Sequence, residues 1–371
     1  MKPLKVLFIL GSMEIGGVQS GVVNFAQNIT PEQASFDVLV HTKKVGFHEA
    51  AFSDYGAIHR IPLHEGHSKA AAAFFLILNN LYFRIRLSHF LKKHRDYNAV
   101  HCKSMSYCAA AMEAARAAKI PVRISQSHVD QPRRMHPFFQ WYFGWCARRI
   151  EKNATVKLAV SEDAAKYLFG AYGGRVIKNP TISLKRLDPN KYRSVPHKGI
   201  HLIQVGTFSR RKNQILSICI LHEIRKRDPF AKLTLIGYSL DEPDYFGCMM
   251  SEIEKYGLRD FVTILPKDSD IPKELSEADY MLIPSLREGL PNVALEAQAM
   301  GVPCFLSDSV TRAADCGLCR FISLNHDAGY WAREILKYRK AHGTVKKYVD
   351  MSSWDNIGVC KEYLGIWSGG E

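Results

Sequence analysis

Short apolar runs alternate with longer, helix-spaced stretches along the first half of the chain. Lys5–Leu10 is apolar almost throughout, as expected of a strand buried on both faces of a parallel sheet. Further strands are predicted at Phe36–His41, Ile58–Pro62, Ala99–His101, Val122–His128, Leu158–Ser161 and Arg175–Pro180. Helices are predicted between them, at about residues 19–29, 70–95, 107–118 and 162–169. This order favours a doubly wound parallel sheet, which binds ligands at the carboxyl ends of its strands.

The same pattern begins again after a polar, proline-containing segment at about residues 183–199. Ile200–Gly206 predicts a new first strand, followed by a loop and a helix that ends near Arg227. Further strands are predicted at Lys232–Gly237, Val262–Leu265, Tyr280–Ile283 and Cys304–Leu306, and helices at Trp331–Lys340 and Ser352–Trp367. A second Rossmann-like domain is therefore predicted in the second half.

The most informative stretch runs from Ser285 to Pro303, between two apolar runs. Its apolar positions recur at spacings of three and four, which predicts a helix that begins at Pro291–Asn292 and ends at Gly301. A loop before a helix favours a phosphate, whereas the carboxylates of Glu288 and Glu296 favour hydroxyl groups as partners. The stretch therefore predicts a sugar-nucleotide site, and a surface loop with a solvated helix is the alternative.

Two other strand-to-helix loops carry candidate residues. Gly16 and Gly17 follow the first strand without the spacing of a dinucleotide fingerprint, so a glycine-rich turn without a ligand is the alternative. In the second half, Gly206 is followed by Arg210, Arg211 and Lys212, where cations would meet a diphosphate at a helix start, unless the loop is simply solvated.

Two histidines also end predicted strands, and a structural role is the alternative for each. They are His101 and His128, and His128 is the stronger candidate because a loop follows it.

Composition places the chain among globular proteins with room for two cores, because 371 residues contain 47% hydrophobic and 23% charged residues. No apolar run reaches the roughly 18 residues that a spanning helix needs, and the first residues enter a strand without a signal-peptide pattern. Nine scattered cysteines predict reduced thiols. Cys316 and Cys319 form one close pair without a second pair to complete a zinc site, so their role stays open.

Charge is distributed unevenly along the chain, whose formal net charge is +14. Residues 1–190 hold 26 Lys and Arg against 13 Asp and Glu, whereas residues 191–371 hold 24 against 23. The first half should therefore face an anionic membrane surface, a lipid-linked phosphate or a nucleic acid. Residues 137–152 predict a basic-aromatic helix suited to anionic lipid, with a core or interdomain helix as the alternative. Its candidate membrane or acceptor residues, with the preceding arginines, are Arg133, Arg134, Trp141, Trp145, Arg148 and Arg149.

Together these segments resemble the retaining glycosyltransferases of family 4, and most closely the bacterial members that build capsular polysaccharide, exopolysaccharide or O-antigen. Four segments carry the resemblance. Glu288–Glu296 resembles the E-x7-E motif of that family with its Gly-Leu-Pro insert, and Gly16–Gly17 the N-terminal glycine loop. The donor-phosphate loop of the family is resembled by Val205–Gly206 with Lys212–Asn213. The histidine segment of its N-terminal domain is resembled by Gln126–His128.

The resemblance implies the GT-B fold, an α/β architecture of two Rossmann-like domains facing across a cleft. It implies that Glu288 and His128 contact the donor sugar, that Glu296 holds the ribose hydroxyls and that Lys212 holds the diphosphate. Backbone at Gly289, Leu290 and Pro291, with the Gly16–Gly17 loop, would complete the donor site. Thr207 stands where the family commonly has arginine, and whether Arg210 or Arg211 replaces that cation stays open.

We therefore predict a cytoplasmic hexosyltransferase, peripheral on the inner face of the cytoplasmic membrane. It would move a sugar from a nucleotide-sugar, taken to be a UDP-sugar, to a hydroxyl of a polyprenyl-diphosphate-linked glycan. The anomeric configuration would be retained. We expect neither a metal cofactor nor a nucleic-acid partner. Residues 1–185, rejoined by a C-terminal helix at about 352–368, would bind the acceptor, and residues 186–351 the donor. The alternatives are a nucleotide-sugar epimerase of the same fold, a basic nucleic-acid or membrane-binding protein, and an inactive sugar-binding scaffold.

Overall fold

The computed structural model describes residues 3–14, 16–64, 69–128, 137–192, 196–238, 243–343 and 346–370. The chain divides into two compact units. The first comprises Met1–Thr181 and Ser353–Glu371, and the second comprises Ile182–Ser352. The chain thus leaves the first unit, builds the second, and returns.

The first unit contains a seven-stranded parallel sheet. Its strands, in the spatial order β3-β2-β1-β4-β5-β6-β7, are β1 (Leu4–Leu10), β2 (Ala34–Val40), β3 (Ile58–Arg60), β4 (Ala99–Cys102), β5 (Val122–Ser127), β6 (Val156–Ala159) and β7 (Arg175–Val176). Its first six helices are α1 (Gly17–Asn28), α2 (Glu49–Phe52), α3 (Lys69–Lys93), α4 (Cys108–Ala117), α5 (Pro137–Asn153) and α6 (Glu162–Phe169). The order reverses beside β1, which is where ligands bind in open α/β sheets.

The first sheet is covered on both faces, which explains why its strands are apolar runs. One core cluster joins the sheet to α3, α4, α5 and α6. The other joins the opposite face to α1 and to the last helix, α12 (Asn356–Trp367). Tyr363 and Trp367 of α12 are buried with their rings against Phe25 of α1. These contacts attach the end of the chain to the first sheet.

The second unit contains a six-stranded parallel sheet. Its strands, in the spatial order β10-β9-β8-β11-β12-β13, are β8 (His201–Val205), β9 (Lys232–Tyr238), β10 (Val262–Pro266), β11 (Tyr280–Ile283), β12 (Cys304–Ser307) and β13 (Cys319–Ile322). Its helices are α7 (Gln214–Arg225), α8 (Pro243–Lys255), α9 (Ile271–Glu277), α10 (Asn292–Ala299) and α11 (Ala328–His342). The prediction of two Rossmann-like α/β domains is confirmed.

Several short elements differ from the predicted pattern. The sequence pattern did not predict α2, α8, α9 or β13. The strand predicted at Leu158–Ser161 lies instead at Val156–Ala159, and only Arg175–Val176 of the predicted Arg175–Pro180 is a strand. Cys319 begins β13, and its thiol donates to the carbonyl of Ala314, so this cysteine is part of the core.

None of the described helices is both long and apolar enough to cross a bilayer. No group of three or more potential metal ligands occurs in the ranges that the structure describes.

Candidate active site

Glu288 is the centre of a charged cluster in the second unit. It lies in the loop between β11 and α10 and is only 8% exposed. The hydroxyl of Ser285 donates to Oε1 at 2.8 Å, and Lys212 Nζ lies 2.5 Å from the same oxygen. Arg211 Nη1 lies 3.2 Å from Oε2. One buried carboxylate is therefore matched by two cations, which leaves the cluster with a net positive charge.

Glycine and a buried amide hold Lys212 in this position. Gly206 has a left-handed φ of +150°, and a Cβ there would lie only 3.2–3.4 Å from the Lys212 side chain. Gln204 donates from Nε2 to the carbonyl of Lys212 at 2.8 Å and accepts a hydrogen bond from Ser217. A Cβ at Gly237 would lie 2.2 Å from the Gly206 carbonyl oxygen, so this second close approach also requires glycine.

Two hydrogen bonds join the Lys212 loop to the Glu288 loop. Asn213 adopts the left-handed conformation with φ of +56°, and its Nδ2 donates to the carbonyl of Pro284 at 3.1 Å. The backbone N–H of Leu286 donates to the carbonyl of Arg211 at 2.8 Å. The loops follow β8 and β11, which pair directly, so both lie at one carboxyl edge of the second sheet. The cation and the carboxylate are therefore placed by backbone contacts as well as by their own attraction.

Glu296 lies on α10 in a different environment. Its carboxyl makes no hydrogen bond or ion pair with any described residue. Burial raises its pKa to about 7, and the positive charge of Arg186 opposes that shift. Glu296 is partly exposed, and none of the described groups donates to its carboxylate, so the hydroxyl groups of a ligand have room to do so.

His128 follows β5 in the first unit and is held through one ring nitrogen. Asn179 Nδ2 donates to its Nδ1 at 3.3 Å, whereas its Nε2 is buried and has no hydrogen-bond partner among the described residues. Burial, followed by the positive charge of Lys103, lowers the pKa of His128 well below its usual value. The ring is therefore neutral near pH 7, with one nitrogen available to a ligand.

Lys103 is a candidate that the sequence pattern did not predict. It directly follows β4, is 7% exposed, and donates from Nζ to Gln126 Oε1 at 2.7 Å. No carboxylate pairs with it in the part of the chain that the structure describes, and the rings of Phe8, Phe25 and Tyr363 lie 5.6–5.9 Å from Nζ. Burial lowers its pKa to about 7. In the sequence, the one feature that could have indicated Lys103 is its position directly after an apolar strand.

His101 and Gln126 belong to the scaffold beneath Lys103. His101 is fully buried within β4, donates from Nε2 to Gln126 Oε1 at 2.8 Å, and accepts from Trp367 Nε1 at 3.4 Å. Gln126 also donates from Nε2 to the Tyr363 hydroxyl at 2.8 Å. The structural alternative therefore accounts for His101, and α12 supports the carboxyl edge of the first sheet.

The sequence models of two families match this chain. "Glycosyltransferase Family 4" matches residues 15–181, and "Glycosyl transferases group 1" matches residues 188–318. EpsF from Bacillus subtilis (strain 168), provisionally named a glycosyltransferase, is 27% identical over 368 residues, which cover 93% of this chain and 90% of EpsF.

Solved structures agree over the whole chain. The crystal structure of HepE from Anabaena, in complex with UDP and glucose, matches with a TM-score of 0.72 at 14% identity and covers 99% of this chain and 97% of HepE. The apo form of the lipopolysaccharide outer core galactosyltransferase WaaB matches with a TM-score of 0.69 at 17% identity. The match covers 98% of this chain and 99% of WaaB. This chain is a glycosyltransferase of the GT-B fold. The family resemblance of its sequence is thereby confirmed.

In this glycosyltransferase, the loop around Thr207 brings Arg211 to the carboxylate of Glu288. The side chain of Arg210 is exposed. The first N–H groups of α10 follow Gly289, Leu290 and Pro291, and no side chain caps them. The glycosyltransferase thus presents a cation cluster and a helix start within one unit. Gly17 begins α1, also without a side-chain cap, and Gly16 before it is extended.

Helix α5 of the glycosyltransferase is mainly a core helix. Tyr142 and Phe143 are buried, and Arg149 pairs through two nitrogens with Glu113 at 2.6 Å while stacking on Trp145. Only Trp141 and Arg148 of the predicted membrane residues on α5 are exposed. Arg133 and Arg134 lie outside the described residues.

Proposed function

We propose that this glycosyltransferase takes its sugar from a nucleotide-sugar bound by the second unit. The observation that carries the proposal is the Lys212–Glu288–Arg211 cluster on two loops at one edge of the sheet. Two cations against one carboxylate leave positive charge for a diphosphate, and the uncapped start of α10 favours the same group. The UDP complex of HepE supports uridine diphosphate as the carrier.

Each side chain of the cluster has a distinct task in this proposal. Lys212 and Arg211 donate to the diphosphate oxygens and stabilise the charge that develops as the sugar–phosphate bond breaks. Glu288 accepts from a hydroxyl of the donor sugar, and Glu296 accepts from the ribose hydroxyls. Because side chains and a helix start neutralise the leaving group, we expect transfer to continue in a chelator without added metal.

The reaction that we propose retains anomeric configuration. The bond between the anomeric carbon and the diphosphate oxygen breaks, and the acceptor oxygen forms its bond on the same face. The acceptor proton passes to the departing diphosphate, so charge and atoms balance without an added base. The family resemblance assigns His128 to a contact with a hydroxyl of the donor sugar, and among the described residues its Nε2 has no hydrogen-bond partner.

The acceptor in this proposal is a hydroxyl of a polyprenyl-diphosphate-linked glycan used for surface polysaccharide, such as capsule or exopolysaccharide. The excess of 13 positive charges in residues 1–190, 26 against 13, supports an anionic partner for the first unit. The name of WaaB, a lipopolysaccharide galactosyltransferase, supports a glycan of the cell surface. The enzyme would then work as a peripheral protein on the inner face of the cytoplasmic membrane.

A donor panel tests the proposal. Calorimetry with UDP-, GDP- and ADP-sugars should show binding of a UDP-sugar, and Glu288→Gln should lower transfer by about 100-fold or more, as for the loss of one transition-state contact. Lys226→Met, which removes an exposed lysine of the same unit, is the matched control and should keep full activity.

Wild-type transfer rates in folded Glu288→Gln would contradict the assignment. Release of free, epimerised sugar without an acceptor would point instead to the epimerase alternative. Salt-dependent oligonucleotide binding without any sugar turnover would support the nucleic-acid alternative.

A further inference from the structure

Helix α3 is apolar on two opposite faces. Phe83, Leu87 and Leu91 are fully buried in the core of the first unit. Five large apolar side chains point the other way into solvent, the most exposed being Ile85 at 58%, and together they are Ile77, Leu78, Leu81, Tyr82 and Ile85. This spacing places all five on one stripe of the helix. Surface helices of soluble proteins normally carry polar residues there, so the stripe calls for a partner.

The surroundings of the stripe are basic. Helix α3 contains five Lys and Arg residues and no Asp or Glu. At 100° per residue, Arg84 and Arg86 flank the stripe on its two sides. Glu113, a nearby acid on α4, is occupied by Arg149 at 2.6 Å and by Arg84 at 3.4 Å. An apolar stripe with basic flanks matches an anionic lipid surface.

An exposed aromatic side chain also lies on α5, next to a residue that contacts α3. Asn80 of α3 donates to the hydroxyl of Tyr142, and that hydroxyl donates to the carbonyl of Ser106 at 2.7 Å. These bonds fix the start of α5 against α3. Trp141, beside Tyr142, is 55% exposed. Tryptophan and tyrosine prefer the boundary between lipid and water, so Trp141 and Tyr82 fit the edge of such a surface.

The buried side of α3 contacts the segment that follows β4 at the ligand edge of the first sheet. Asn80 Nδ2 also donates to the carbonyl of Ser106 at 3.0 Å, and Ser106 follows β4 by four residues. Lys103 lies in the chain between β4 and Ser106, directly after β4. Through the buried Asn80, the helix that carries the stripe is therefore anchored to the segment that follows β4.

From these observations we infer that the α3 stripe, with Trp141, lies in the interface of an anionic phospholipid bilayer. The biological role of this contact rests on the proposed lipid-linked acceptor, whereas the exposed stripe and its basic flanks are observed independently of that proposal. Helix α3 would lie along the membrane plane, with its apolar side chains among the upper acyl chains and Arg84 and Arg86 at the phosphates. The sequence had placed this contact on α5, most of whose aromatic residues belong to the core.

Vesicle flotation tests the surface. The full chain should float with vesicles of phosphatidylcholine and phosphatidylglycerol, and less with phosphatidylcholine alone. The double variant Leu81→Glu/Ile85→Glu should bind the anionic vesicles at least about tenfold more weakly, because it places two carboxylates against lipid phosphate. The matched control is Phe230→Glu/Tyr348→Glu, which changes two exposed side chains of the second unit and should bind as wild type does.

Three outcomes would overturn the inference. They are no flotation of the wild type, equal binding by the α3 variant, and a dimer in sedimentation that the α3 variant converts to a monomer while lipid binding is absent. In the last case the stripe would be a contact between two copies of this chain.

A separate measurement distinguishes failure of this inference from failure of the proposed function. The α3 variant should keep the wild-type melting temperature and UDP-sugar affinity, since it changes exposed side chains in the other unit. Vesicle binding without any UDP-sugar binding by the wild type would leave the inference standing and contradict the proposed function. UDP-sugar binding without vesicle binding would do the reverse.

Discussion

The carboxyl edges of the two sheets hold a lysine each, in opposite electrostatic states. Lys212 of the second unit lies 2.5 Å from the carboxylate of Glu288. Lys103 of the first unit is more deeply buried, and its strongest partner is the neutral amide oxygen of Gln126. A paired lysine holds its charge at little cost, whereas an unpaired one destabilises the fold until a ligand supplies the missing anion. The first edge therefore depends on its ligand more than the second.

Lys212→Met should have the largest effect. Transfer should fall about 1,000-fold, because the cation nearest the proposed diphosphate is lost. The free energy of unfolding should fall by about 1 to 3 kcal/mol, since Glu288 is left buried with only the half-exposed Arg211 beside it. Transfer assays and urea unfolding measure the two effects. A folded variant with unchanged transfer would remove Lys212 from the donor site.

Lys103→Met should raise the free energy of unfolding, whereas Lys212→Met should lower it. Burial lowers the pKa of Lys103 from its usual 10.5 to about 7, so the charged form is disfavoured in the folded protein. Wild-type stability should therefore rise as pH increases from 7 towards 10.5. The methionine variant should be more stable by about 1 to 3 kcal/mol at pH 6, and the gain should shrink by pH 9.

The control for Lys103→Met is Lys166→Met, which removes an exposed lysine on α6. Urea unfolding across this pH range should show no comparable trend in the control. A loss of stability in the Lys103 variant at pH 6 would mean that an anion already neutralises Lys103, and the contrast between the two edges would fail.

Glu296→Gln tests whether the second edge also contains an unsatisfied group. The pKa of Glu296 is raised to about 7, so ionisation of its carboxyl weakens the fold as pH rises from 4.5 through 7. The glutamine variant should be more stable by about 1 to 2 kcal/mol at pH 8, with little gain at pH 5. Its affinity for the UDP-sugar should fall about tenfold, because an amide accepts hydroxyl hydrogen bonds less strongly than a carboxylate does.

Thermal unfolding at the two pH values and calorimetry would measure both effects of Glu296→Gln. Greater stability with unchanged donor affinity would leave Glu296 as a partly buried acid without a role in binding.

The two edges were not equally predictable from the sequence. Glu288 and Lys212 stand in loops between a strand and a helix, and a motif identifies each loop. Their pairing could not be derived from periodicity, since 76 residues separate them and the sheet order β8-β11 brings them together. Lys103 follows a strand with no motif, and no local pattern shows that Tyr363 from the far end of the chain buries it.

The strands themselves were predictable for a simple reason. The first sheet, for example, is covered on both faces, so its strands are continuous apolar runs. Surface helices were harder to interpret, because composition does not tell which apolar residues find a partner. Tyr142 and Trp141 are neighbours in α5, yet one is fully buried and the other exposed. The exposed apolar stripe of α3 became visible only from the packing of Phe83 and Leu87 on its opposite side.

Arg211→Gln, compared with Arg210→Gln, should give the smallest effects and identify the cation that serves in place of arginine at Thr207. Both side chains are exposed, but Arg211 Nη1 lies 3.2 Å from Glu288 Oε2, whereas Arg210 forms no ion pair with Glu288. The Arg211 variant should raise KM for the UDP-sugar about tenfold, as for the loss of one charged hydrogen bond. The Arg210 variant should change KM by less than about twofold, because an exposed charge that is not paired with Glu288 contributes little. Steady-state kinetics at low and high salt distinguishes the two, since screening should weaken an Arg210 effect more than an Arg211 effect. If Arg210→Gln proved the more damaging, the diphosphate would bind on the outer side of the loop, and the Glu288 cluster would orient the sugar alone.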